Sequence, residues 1–164
     1  MPSAEGYNHS GPHPRRAPMK TVAQLLKLKS EHNQQVHTIG PDQMVLDALR
    51  LMADKNIGAL PVVAGGVVVG VVSERDYARK MILKGRSSVG TPVSAIMSSK
   101  VITVDSQQSV ETCMGIMTDN HLRHLPVVEH GQLLGLLSIG DLVKEAIAEQ
   151  SSLIQQLEQY IRGD

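Results

Sequence analysis

Leu60-Pro61-Val62-Val63, followed by Gly66 and by Gly70-Val71-Val72-Ser73-Glu74-Arg75-Asp76, returns later in the chain as Leu125-Pro126-Val127-Val128, Gly131 and Gly135-Leu136-Leu137-Ser138-Ile139-Gly140-Asp141. The offset is 65 residues with no gap, and it extends outward: Val36 and Thr38 match Val101 and Thr103, and Met52 and Asp54 match Met117 and Asp119. Residues 36–82 therefore overlay 101–147 with about fifteen identities, and the chain is an internal duplication. Each local reading in one copy has to hold in the other.

Within each copy a short apolar stretch (36–39; 101–104) meets a polar turn and then a helical pattern, with Val45, Ala48, Leu49 and Met52 matched by Val110, Cys113, Met114 and Met117. Cys113 stands where copy one has Ala48, so it reads as a buried core thiol with no base paired to it. Two β-rich runs follow, 59–63 and 67–73, split by Ala64-Gly65-Gly66 in copy one and by Glu129-His130-Gly131 in copy two. They read as hairpins. A second helix then starts near Glu74 or Ile139 and runs to about Leu83 or Gln150, which makes the unit βαββα. One such unit leaves a sheet face open, so the expectation is an α/β (α+β) fold of two βαββα repeats packed with pseudo-twofold symmetry, creating two equivalent clefts.

The flanks complete the plan. Residues 1–18 collect Pro2, Pro12, Pro14 and Pro18 with glycine, serine and arginine and read as a disordered leader, with His9 and His13 as solvated tail and Met19 as an alternative start. The first repeat with a leading helix takes 19–84, and the linker with the second repeat takes 85–148. Val93-Ser94-Ala95-Ile96-Met97 resembles Val22-Ala23-Gln24-Leu25-Leu26, so each repeat is expected to carry its own leading helix. A C-terminal helix, 149–164, places Ile154, Leu157 and Ile161 in line with Val143 and Ile147, the pattern of a self-association helix or of a tail packed on its own domain.

Composition removes several function classes. The 164 residues include no Phe, no Trp and only three Tyr, so the core is aliphatic and single strands of nucleic acid find no stacking platforms. Sixteen basic residues balance sixteen acidic ones, which gives no global field toward nucleic acid or an anionic membrane. No apolar run is long enough to span a bilayer, no apolar signal core stands at the N-terminus, and one cysteine fits a reducing compartment. A cytoplasmic protein is expected. There is no Gly-rich phosphate loop, no nucleophile paired with a base and no metal-ligand cluster, so an enzyme is not expected. His121 and His124 have zinc-compatible spacing, but no thiol or acid recurs with them.

The repeated Ser-x-x-Asp carries the most chemistry, because it sets a hydroxyl and a carboxylate at a strand-to-helix junction. Two readings stay open: a variant capping box, or a carboxylate that accepts from both hydroxyls of a ribose. The tandem repeat, the Leu-Pro-Val-Val strand and the Gly-x-x-Ser-x-x-Asp ending resemble a pair of CBS domains, the arrangement called a Bateman module, over about residues 20–148. Ser-Glu-Arg-Asp-Tyr and Lys-Gly-Arg-Ser-Ser also resemble the small stand-alone members of that family.

The resemblance implies binding of AMP, ADP or ATP, or of NAD(H) or S-adenosylmethionine, in sites that cross the repeats, with no catalytic cofactor. Carried over, one site takes Ser138 and Asp141 for the ribose, with Ile57, Gly58 and the backbone near His37 walling the base. The other takes Ser73 and Asp76 with Leu122, Arg123 and the backbone near Ile102. Arg75, Arg123 and His124 favour phosphates in the second site, since Gly140 and Gly58 replace the two arginines in the first; Arg86 and Lys84 either reach a phosphate or solvate a loop. The expected function is an adenine-nucleotide-binding regulatory module acting on its own homodimer or on a partner protein that the sequence does not name. The alternative is a scaffold or oligomerisation module with no physiological ligand.

Overall fold

The computed structural model of the protein describes residues 20–31 and 36–162; the expectations on residues 1–18 and on Met19 lie outside them. Element order is α1 (Val22–Glu31), α2 (Val45–Lys55), β1 (Ala59–Ala64), β2 (Val67–Ser73) and α3 (Glu74–Tyr77), which continues as a π-helical turn over Ala78–Ile82. After a 3-10 turn at Val93–Ala95 come α4 (Val110–Asn120), β3 (His124–Glu129), β4 (Gln132–Ser138) and α5 (Ile139–Arg162).

The duplication is exact in register. Ala59 faces Ser73 and Val62 faces Gly70, while in copy two His124 faces Ser138 and Val127 faces Gly135. Both hairpins shift register one residue later, between Val62 and Val63 and between Val127 and Val128. Both turns place two successive residues at positive φ, Gly65 (56°) and Gly66 (78°) in one and His130 (52°) and Gly131 (76°) in the other, as a tight hairpin turn demands. The expected first strand of each copy shrinks to one parallel bridge, Ile39 to Val62 and Val104 to Val127. In copy one, Ile39 N donates to Pro61 O and Ile39 O accepts from Val63 N before the chain turns at Gly40 and Pro41.

Each copy keeps its own aliphatic core. Val45, Ala48 and Met52 of α2 pack with Leu60, Val62 and Val72, and Val110, Cys113 and Met117 of α4 pack with Leu125, Val127 and Leu137. Burial pushes the Cys113 thiol up, with a smaller push from Asp105, so it stays protonated and inert.

The leading elements are exchanged, a correction to the expectation that each repeat carries its own. Val22 and Leu25 of α1 precede copy one but are buried in the core of copy two, whereas Val93 and Ile96 precede copy two but are buried in copy one. Backbone bonds tie both exchanges: Val22 N donates to Gln108 O and Val110 N to Lys20 O, while Val93 N donates to Gln43 O and Val45 N to Thr91 O. The repeated glycines Gly70 and Gly135 are where these leaders cross the hairpins. A Cβ on Gly135 would run into the Leu26 side chain, and one on Gly70 would lie 2.9 Å from the Ser98 carbonyl oxygen and 2.6 Å from Met97 Sδ.

The C-terminus also departs from expectation. The second helix of copy two and the tail form one continuous helix, α5, so a boundary at residue 148 falls inside it. Its start is anchored by buried Leu142 and by Glu145, which pairs with Lys20 at 3.3 Å. Beyond Glu149 its residues are exposed apart from half-buried Leu153, so the tail does not fold back on its own domain.

Candidate functional site

Each Ser-x-x-Asp does cap its helix. Asp76 N donates to Ser73 Oγ at 3.1 Å while Ser73 N and Oγ donate to Asp76 Oδ2 at 3.0 and 2.9 Å. In copy two Asp141 N donates to Ser138 Oγ at 3.1 Å and Ser138 N donates to Asp141 Oδ2 at 2.8 Å. Capping uses only one oxygen of each carboxylate. Among the described residues Asp141 Oδ1 has no hydrogen bond, and Asp76 Oδ1 meets only Lys80 Nζ at 3.2 Å.

Two clefts of similar volume, about 510 and 520 Å³, open beside these carboxylates. The Asp141 cleft joins Ser138 and Asp141 of copy two to His37, Ile57, Gly58 and Pro61 of copy one. The Asp76 cleft joins Ser73, Arg75 and Asp76 of copy one to Leu122, Arg123 and His124 of copy two. Gly58 and His124 line both, so the two clefts meet between the repeats. Ile102, whose surrounding backbone was expected at the second site, does not line it: the side chain is half-buried and packs against the core of copy two. Arg86 and Lys84 line neither cleft.

The clefts differ in charge. In the first, Lys29 of the exchanged α1 reaches across, with Nζ 2.8 Å from Asp141 Oδ2 and 2.7 Å from Leu136 O. Burial acts to raise the Asp141 pKa, but the Lys29 ion pair and the Ser138 bonds outweigh it and hold the carboxyl below its usual range. In the second, Arg75, Arg79, Lys100 and Arg123 share the wall with Asp76. His124 lies between the carboxylates; burial, together with Lys29 and Arg123, depresses its pKa more than Asp76 and Asp141 raise it, so it is neutral at pH 7. His121 sits in the left-handed position that ends α4, at φ 53°, as Asn56 does after α2, which accounts for it as a helix stop.

Sequence reading missed Lys29, Arg79 and Lys100. Arg79 had a legible signal, since it lies one helical turn beyond Arg75. Lys29 and Lys100 had none until the leaders were seen to exchange. The match of Leu26 with Met97 at the two glycine crossings then makes Lys29 and Lys100 counterparts, three residues further along each leader.

The CBS-domain family matches the chain at residues 20–83 and 93–148. A mitochondrial CBS domain-containing protein of Arabidopsis thaliana, CBSX3, is 42% identical over 127 residues, covering 74% of this chain and 62% of that protein. Among solved structures, a CBS-domain protein of Burkholderia ambifaria named for signal transduction is 51% identical and superposes with a TM-score of 0.73 over 80% of this chain and 96% of its own. A hexameric CBS-CP12 protein from bloom-forming cyanobacteria is 25% identical, with a TM-score of 0.67 over 81% of this chain and 72% of its own.

Proposed function

The chain belongs to the CBS-domain family, and from that membership and its two inter-repeat clefts we propose that it is a regulatory module that binds adenine nucleotides. Stand-alone CBS pairs of this kind are regulatory and signal-transduction modules rather than catalysts. The observation that carries the nucleotide reading is the composition of each cleft: a helix-start carboxylate with an oxygen left over after capping, from one repeat, faced by apolar walls and a histidine from the other. The carboxylate suits a ribose diol, Ile57 or Leu122 suits the face of a base, and the arginines of the Asp76 cleft suit phosphate. AMP, ADP and ATP fit these requirements, as do NAD(H) and S-adenosylmethionine in part.

A ligand spanning both repeats would favour one arrangement of them and so bias the surface offered to a partner or to a second copy. Self-association belongs to the same proposal, through the exposed apolar residues of α5. So does a cytoplasmic location. Among the described residues no helix is long and apolar enough to cross a membrane.

Thermal-shift titration with AMP, ADP, ATP, NADH and S-adenosylmethionine tests the reading, because a ligand that binds only the folded state raises the melting temperature by mass action. A concentration-dependent rise with the wild type, lost in the Asp76→Ala/Asp141→Ala double variant, is expected. No rise with any of the five at millimolar concentration would favour the scaffold reading, which the completed capping bonds also fit.

A further inference from the structure

The Asp76 cleft holds a cluster of charge that capping and ribose binding leave unused. Arg75, Arg79, Lys100 and Arg123 line it, from both repeats and the linker between them, against one carboxylate. That carboxylate is already paired with Lys80. Among the described residues none of the three arginines forms an ion pair, and Lys100 Nζ bonds only the Asn120 carbonyl oxygen, at 3.1 Å. Desolvation by neighbouring side chains, followed by the charges of Arg123 and Arg79, pushes the Arg75 guanidinium below its ordinary value, against a smaller pull from Asp76. Like charges held in one concave wall repel unless an anion enters.

The other cleft provides an internal comparison, because the repeat assigns a counterpart to each cation. Gly140 replaces Arg75 and Gly58 replaces Arg123; Lys144 replaces Arg79 but does not line the cleft. The counterpart of Lys100 is Lys29, and its ammonium is spent on Asp141 and Leu136 O. One cleft is therefore close to neutral while the other carries four cations at a similar volume.

We propose that the Asp76 cleft is a polyphosphate site, taking one ligand per chain whose phosphate chain carries three or more phosphates. The inference rests on the nucleotide reading only for the ribose end of such a ligand. A single phosphate presents too little charge for four separate cations, whereas a triphosphate can engage two arginine forks and a lysine along its length.

Isothermal titration in magnesium-free buffer with AMP, ATP and inorganic tripolyphosphate tests it, using the wild type and an Arg79→Gln/Arg123→Gln variant. Both replaced side chains are exposed, and the unliganded melting temperature reports that the variant folds. The expected result is one ATP per chain, bound at least about 10-fold more tightly than AMP, with that ratio collapsing to near unity in the variant. Equal affinities for AMP and ATP in the wild type, or an ATP preference untouched by the substitutions, would overturn the polyphosphate site and leave the nucleotide reading standing. Tripolyphosphate bound as tightly as ATP, with AMP not bound, would support the polyphosphate site and remove the nucleotide reading. Failure of all three to bind would overturn both.

Discussion

Asp141 shows how much one residue's role depends on its neighbours. Its sequence position promises a cap and a ribose contact; its environment adds Lys29, in an ion pair whose side chains are only 25% and 22% exposed. The pair lowers the carboxyl pKa in the fold below its ordinary value near 3.8. Such a carboxyl adds stability that is present above that value and is lost as the pH falls below it, through the lower folded value. Lys29→Met leaves the desolvation of Asp141 uncompensated and is expected to cost about 1–2 kcal/mol at pH 7. Urea midpoints of the two proteins should draw together as the pH falls below 3.8 and through the lower folded value of the wild type, where its carboxyl also becomes protonated; a gap of constant size would show that Lys29 acts through packing alone. The Asp76 counterpart takes its lysine from its own helix, Lys80 one turn on, so the symmetry of the sequence is not a symmetry of charge.

At the scale of elements, Gly66 and Gly131 of the repeat serve the hairpin turns, whereas Gly70 and Gly135 serve the crossings. Gly135→Ala drives a methyl into Leu26, and Gly70→Ala drives one toward the Ser98 carbonyl, which is backbone and cannot rotate away. Both are expected to destabilise by about 1–3 kcal/mol, Gly70→Ala by more, whereas Gly58→Ala meets open space and should cost under about 0.5 kcal/mol. Denaturant midpoints of the three variants decide this, and Leu26→Ala should relieve Gly135→Ala but not Gly70→Ala. The same crossings explain an asymmetry between the leaders. After its 3-10 turn the second leader runs extended, and Ser98 pairs with Val71 through two backbone bonds of 2.9 and 3.0 Å. The first leader stays helical to Glu31, so Leu136, the counterpart of Val71, receives the Lys29 ammonium in place of a backbone donor.

For the whole molecule, copy two depends on α1 from the far side of copy one, whereas copy one is closed by Val93 and Ile96 of the linker that follows it. The same closure leaves α5 projecting. Val143, Ile147, Ile154, Leu157 and Ile161 are 45–82% exposed along it, a stripe suited to an equivalent stripe on a second copy. Light scattering at micromolar concentration should give a dimer mass for the wild type and a monomer mass for Ile154→Glu/Leu157→Glu with an unchanged circular dichroism spectrum. A monomer mass for the wild type would leave the stripe without a role in self-association.

Much of this protein was legible from residues alone. The 65-residue offset determined the duplication, the hairpin turns, the faces of α2 and α4 and the burial of Cys113, because all of these are set by local period, turn chemistry and repetition, whereas the facing of each Ser-x-x-Asp by the opposite repeat was legible only through the family resemblance. Tertiary structure alone decided which leader closes which core, that the tail continues α5 unbroken, that Ile102 packs against a core, and that Lys29 occupies one cleft while Lys100 joins the arginines of the other. Chain order cannot distinguish a leader that packs on its own repeat from one that packs on its neighbour, since both present the same apolar spacing to equivalent cores. Only the three-dimensional crossing at Gly70 and Gly135 separates the two, and with it the charge of each cleft.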